Sequence, residues 1–264
     1  MKGLITFCAS AVLIIATGSA NADMLLVQTD DTWWDEKNPE SAINPSNVMT
    51  ALSIQHDQIS QSAFATQDLS GYKAILLQGS DGETGLFKEY IAPNMNMDIV
   101  ETYVAGGGLA LIHYADWYAS EGDISDIGPL GVKRIFGTNS SSDIGNISTV
   151  FEFDPLFDKV TKVTDDSLDG WFYTSNGYLT DLPANSDVLI KNGLYEPIYA
   201  RYTVGLGQVW ITTMALEWGG GNEPGVLINE IALANQFVPV PVPAAVLLGM
   251  LGLGVAGMKL RKFA

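Results

Sequence analysis

Two short segments, Ala74 to Gln78 (AILLQ) and Leu109 to His113 (LALIH), are apolar without a break until their last residue. Met24 to Gln28 (MLLVQ) repeats the pattern. A strand with one wet face alternates apolar and polar side chains, whereas a strand covered on both faces has no need to. Three such runs demand a mainly parallel sheet between layers of helix. Helix spacing from Pro45 to Ile54, capped by Asn44 with Pro45 in the first turn, supplies one helix. Met97 to Val104, stopped at Gly106, supplies another. Further on, Thr149 to Phe153, Val188 to Lys191, Ile198 to Thr203 and Gln208 to Thr213 read as strands, and Glu223 to Asn235 as a last helix. The expectation is an α/β domain: a flavodoxin-like, mainly parallel sheet with flanking helices and added antiparallel strands. The stretch from Ala119 to Asn146, rich in Gly, Ser and Asp, reads as a long loop over the carboxyl edge, where such folds place their sites.

The two ends lie outside this pattern. Residues 1–22 have the form of a secretory signal: Lys2, an apolar run from Ala9 to Ala16, then the small-x-small triplet Ala20-Asn21-Ala22 that signal peptidase cleaves. The expected cut precedes Asp23, which makes residues 23–238 the folded domain. Residues 239–264 follow a different plan. Val238-Pro239 and Val240-Pro241-Val242-Pro243 form a proline hinge, Ala244 to Met258 an uncharged run, and Lys259, Arg261 and Lys262 a basic tail. The run at 244–258 is near the lower length limit for a transmembrane helix, and the cationic end favours a cytoplasmic tail. The three-part order resembles a PEP-CTERM sorting signal, with valine where the commonest form has glutamate. The resemblance implies an exosortase-type transpeptidase that cuts at the proline segment, and a Gram-negative host that makes extracellular polysaccharide. An ordinary single-pass anchor is the alternative. Either way the protein is expected to be exported, held at the inner membrane, and on the sorting reading then passed to the cell surface or beyond.

Charge and cysteine content remove whole classes of function. The chain carries 13 Lys and Arg against 30 Asp and Glu. All the acids, but only nine of the bases, fall in residues 23–238, so that domain has a net charge of −21. Such a surface repels nucleic acid and anionic lipid. The one cysteine is Cys8, inside the leader. The processed domain therefore has no disulfide, no zinc-thiolate site and no cysteine nucleophile.

The phrases MLLVQTDD, YKAILLQGSDG, VAGGGLALIHYADW, FDPLFDKV and GLGQVWITTM, in that order, resemble the class I glutamine amidotransferase-like superfamily, and within it the ThuA-like branch. The motif content is concentrated in residues 106–115 and 205–213. By that resemblance His113 matches the family's strand-end histidine, Gly106, Gly107 and Gly108 its glycines, and Gly205 and Gly207 its late glycine pair. This chain departs at Gln208, where a basic residue is usual, and at Ala215-Leu216, where Gly-His is usual. True amidotransferases carry a cysteine at the elbow, so glutamine hydrolysis by that mechanism is excluded. The resemblance implies a link to sugar chemistry.

The candidate chemistry gathers at the expected carboxyl edge. His113 could act as a general base or a hydrogen-bond donor, with Asp116 close in sequence to orient it and Glu217 as an acid partner; alternatively it is a core histidine. Asp31, Trp33 and Trp34 after the first strand, with Trp117, would suit a sugar: ring faces stack on indoles while a carboxylate binds hydroxyls; alternatively Trp33 and Trp34 belong to a surface loop and pack on a neighbour. The acids Asp116, Glu121, Asp123 and Asp126 lack EF-hand spacing, so no metal is assigned. His56 reads as structural and Asp81-Gly82 as a turn. No nucleophile elbow, P-loop or dinucleotide fingerprint occurs, so no cofactor is assigned. Two functions stay open. The first is a binding module of the cell envelope or matrix, with a polysaccharide or protein partner. The second is a sugar-directed hydrolase or isomerase using His113.

Overall fold

The computed structural model describes residues 23–28, 44–78, 97–114, 122–137, 145–168, 175–214, 216 and 224–239. The central sheet is built from β1 (Met24–Gln28), β2 (His56–Ser60), β3 (Ala74–Leu77), β4 (Leu109–His113), β7 (Gly145–Ile147), β9 (Asp187–Asn192), β10 (Pro197–Val204) and β11 (Gly207–Thr212). Its order is β2-β1-β3-β4-β11-β10-β9-β7. The first five strands are parallel, which is the doubly wound order 2-1-3-4-5 with its fifth strand supplied late in the chain. The last three are antiparallel additions. A separate antiparallel sheet has the order β5-β6-β8, from Ile124–Gly128, Val132–Ile135 and Tyr178–Thr180.

The apolar runs are covered on both faces, as their lack of alternation requires. Leu26, Leu76, Leu109 and Leu111 point to one core, roofed by α1 (Pro45–Ala51) and α4 (Pro224–Ala234). Leu25, Ile75, Leu77, Ala110 and Ile112 point to the other, roofed by α2 (Met97–Ala105) and the small sheet through Ile127, Val132 and Leu179. A four-residue helix, α3 (Asp165–Leu168), caps β7, where Asp165 accepts from the Ile147 amide at 2.7 Å. The Asn44 cap forms as expected, its side chain accepting from the Ser46 amide at 2.8 Å. The helix is shorter than its spacing suggested, because Ser53 turns the chain at φ 58°.

Two expectations are corrected. The stretch 119–146 is not simply a loop: its described part holds the hairpin β5–β6 and the strand β7. The inward residues Ile127, Val132 and Arg134 carried that signal, but Gly and Asp outvoted it in composition. The hairpin turns at Leu130 and Gly131, both with positive φ. Thr149 to Phe153 is not a strand either. Thr149–Phe151 is a 3-10 turn, and Val150 and Phe153 are 84% and 91% exposed. Val150 and Phe153 mimic residues of a buried strand while facing solvent, and Phe151 is partly buried against the first core. Among the described residues no helix is long and apolar enough to cross a membrane. The run 244–258 lies outside them.

Candidate functional site at the carboxyl edge

Gly106 to His113 crosses the sheet from one edge to the other. At the amino edge, the two glycine motifs pack on each other. The Leu206 amide donates to the Ala105 carbonyl and the Gln208 amide to the Gly108 carbonyl, both at 3.1 Å. A Cβ on Gly207 would stand 2.1 Å from Gly108 O and 2.2 Å from Val104 O. The shared glycines are thus a backbone contact, remote from the strand's other end.

At the carboxyl edge, Tyr199 pairs with Thr212 across β10 and β11, and Thr212 pairs with His113 across β11 and β4. The three residues form one row across adjacent strands, and α4 lays Glu230 over it. Glu230 Oε2 lies 2.7 Å from His113 Nε2, and the Tyr199 hydroxyl donates to Glu230 Oε1. His113 and Glu230 side chains are both 0% exposed. Burial, then the Glu230 charge, pushes the Tyr199 phenol well above its ordinary pKa of 10.0, so it remains a proton donor to the carboxylate. The hydroxyls beside His113 are already committed. Thr212 Oγ1 donates to the Ile198 carbonyl and Thr213 Oγ1 to the Gly177 carbonyl, each at 2.9 Å.

Neither Glu230 nor Tyr199 stood out in the sequence. The signal for Glu230 was present: Val226, Leu227, Ile231 and Ala234 form the buried stripe of α4, and Glu230 sits within it. A carboxylate on an apolar stripe is rare unless paired. Asn229, also 0% exposed, has a different task. Its Oδ1 accepts from the Val160 and Thr161 amides, and its Nδ2 donates to the Leu156 and Thr161 carbonyls. This pins the FDPLFDKV phrase against α4. Asp154 of that phrase accepts from the Leu156 amide at 3.0 Å and pairs with Arg201 at 2.8 Å.

On the opposite face of the same edge, Tyr114 follows His113. The Arg134 guanidinium of β6, 0% exposed, lies 4.5 Å from the Tyr114 ring centroid and 5.1 Å from that of Phe136. Gln78 follows β3, and Ser175 and Asn176 run along the end of β11, the Asn176 amide donating to the Thr213 carbonyl at 2.8 Å. Gln78 Oε1, Ser175 Oγ and Asn176 Oδ1 are buried and have no hydrogen-bond partner among the described residues, as is the case for Gln61 Oε1 beside Gln78. Orphaned acceptors of this kind cost about 1–3 kcal/mol each, and a ligand donor would offset that.

Of the candidate catalytic and sugar-binding residues, the structure describes only His113. Asp31, Trp33, Trp34, Asp116, Trp117 and Glu217 lie outside the described residues. His56 joins α1 to β2, its ring nitrogens 2.8 Å from Ser46 Oγ and 3.1 Å from the Ile54 carbonyl oxygen. Among the described residues no group of His, Asp or Glu could hold a metal ion.

No family model matches the chain, and no curated protein sequence matches it. Solved structures similar to it include a β-galactosidase from Rahnella sp. R3, at 14% identity and TM-score 0.46, covering 84% of this chain and 32% of that one. A protein assigned as a GMP synthase component from Thermoplasma acidophilum has 12% identity and TM-score 0.49, covering 81% and 94%. A glutamine amidotransferase from Thermotoga maritima has 11% identity and TM-score 0.43, covering 74% and 75%. The chain spans about a third of the length of the β-galactosidases it is similar to.

Proposed function

We propose that residues 23–238 form an amidotransferase-like binding module without amidotransferase chemistry, exported to the cell envelope or matrix, that holds carbohydrate or a protein partner at the carboxyl edge of its sheet. The observation that carries this reading is the state of His113. It is fully buried, tied to α4 through Glu230, and flanked by hydroxyls that already donate elsewhere. In this reading it joins sheet to helix. Carbohydrate is favoured by the orphaned acceptors Gln78 Oε1, Ser175 Oγ and Asn176 Oδ1, which suit hydroxyl donors. The sequence adds Asp31, Trp33, Trp34 and Trp117 just after β1 and β4.

Export rests on the leader and on the tail. A cut before Asp23 would leave β1 whole, with the Asp23 nitrogen 2.9 Å from Gln55 O and its carboxylate 2.6 Å from Lys73. Signal peptidase and an exosortase-type enzyme are the proposed processing partners, with the 244–258 helix in the inner membrane beforehand. The amidotransferase-like and ThuA-like assignments remain part of this proposal.

A thermal-melt screen against oligosaccharides, monosaccharides and divalent cations tests the reading. A ligand at about 100 times its Kd adds roughly 2.7 kcal/mol. A sugar-specific shift that Trp33→Ala or Gln78→Ala removes is the expected result. A second reading, a sugar-directed hydrolase or isomerase, draws on the 2.7 Å His113–Glu230 contact, the geometry of a base and its orienting acid. Turnover of a shifting sugar that His113→Gln abolishes, while the melt shift persists, would replace the first reading by the second.

A further inference from the structure

The sheet's other edge carries a feature that the binding reading does not use. α2, the turn before β3 and Gly106, Gly107 and Gly108 enclose a cleft of about 620 Å³. Tyr72, Tyr103, Ile99 and Leu69 give it an apolar wall, and Ser70 and Thr102 place hydroxyls on it. The two aromatic rings are held in place. The Tyr103 hydroxyl donates to the Tyr72 carbonyl at 3.2 Å, and the Tyr72 hydroxyl donates to Asp57 at 2.7 Å. Tyr103 can lie flat over the start of β4 because residue 108 is glycine; a Cβ there would stand 2.2 Å from the ring.

The described chain after α4 ends at this cleft. Phe237 packs on the first core, Val238 is 78% exposed, and Pro239 is back against the protein as part of the cleft lining. The next residues are Val240-Pro241-Val242-Pro243. Proline fixes its own φ and pushes the residue before it into extended backbone. Alternating Val-Pro therefore favours a polyproline II helix, and four residues reach roughly 12 Å beyond Pro239. Grooves lined by aromatic rings are the usual receptors for such segments, because little conformational entropy is lost on docking. The tether also makes the contact intramolecular, so a weak groove suffices.

We propose that residues 240–243 of this chain occupy the cleft as a polyproline II segment packed on Tyr72 and Tyr103. The occupant is the chain's own hinge, and the docking stands whether or not the carboxyl edge binds sugar.

Thiol labelling of the full chain in detergent micelles tests this, with Cys8→Ser removing the native thiol. Val238→Cys and Val242→Cys are compared, each as the single cysteine. The expected result is maleimide labelling several-fold slower at 242 than at 238. Adding Thr102→Arg, an exposed helix position on the cleft wall, should bring the rate at 242 up to that at 238 without lowering the thermal midpoint. Ile99→Arg gives a second blocked cleft. Equal rates at 238 and 242 would overturn the proposal. So would slow labelling at 242 that neither arginine relieves, since the protection would then come from the micelle or another surface.

Discussion

The two edges of the central sheet are built on opposite terms. The amino edge is backbone on backbone: Gly207 against Gly108 and Val104, with amides and carbonyls paired across the contact. The carboxyl edge is made of buried side chains: a His–Glu–Tyr network on one face, an arginine between aromatic rings on the other, and several polar atoms with no partner among the described residues. At the glycine contact, the amino edge has no side chain to offer and no room for change. The carboxyl edge holds buried polar groups at a cost in stability. A motif that runs from Gly106 to His113 therefore mixes an architectural end with a chemical one.

That contrast can be broken experimentally, and the largest effect is expected at Glu230. Glu230→Ala leaves His113 and Tyr199 buried without their shared acceptor and should cost about 3–5 kcal/mol in urea unfolding. A loss under about 1 kcal/mol would mean that the network is not a structural tie. Gly207→Ala comes next. Its Cβ meets two backbone oxygens, which cannot rotate away as a side chain would, so a loss of about 3 kcal/mol is expected. A neutral result would remove the idea that the amino edge is closed.

Tyr199→Phe sharpens the comparison through pH. Burial raises the folded-state pKa of Tyr199 above 10.0, so the unfolded chain ionises first. The stabilisation is complete below pH 10 and is lost as pH climbs beyond it. Each such tyrosine adds a slope of about 1.4 kcal/mol per pH unit there. The phenylalanine variant should be less stable at neutral pH by about 1–2 kcal/mol and should lose one proton's worth of that alkaline slope. An unchanged slope would show that Tyr199 is not buried against Glu230 in solution.

The smallest effect is expected at Ser175→Ala, which deletes an orphaned buried hydroxyl. Stability should stay within about 0.5 kcal/mol of the parent or rise. If the carboxyl edge is a sugar site, the same change should reduce the ligand-induced melt shift. A clear loss of stability without ligand would mean that Ser175 has a structural partner after all.

The strands β1, β3 and β4 and the helices α1, α2 and α4 were legible because burial on both faces leaves an uninterrupted apolar run, and helix spacing and caps are local chemistry; β11 was legible from the apolar residues Val209 to Ile211 after a glycine turn. The hairpin β5–β6 was not, since Gly128, Pro129 and Gly131 serve its turn while resembling loop composition. The strand expected at 149–153 failed for the converse reason: no layer covers Val150 and Phe153. At the site, His113 was visible as the polar end of an apolar strand. Its partner on α4 was not, because nothing near His113 in the chain marks which helix crosses that strand end.

The sequence by itself determined the class of sheet and the direction of its first strands, both of which follow from local pattern. Only the tertiary structure decided that His113 meets Glu230, 117 residues away, and that the two glycine motifs are one contact. Those pairings depend on how α4 crosses the sheet and on how closely two backbones approach. Distances between segments remote in the chain are not written in either segment alone.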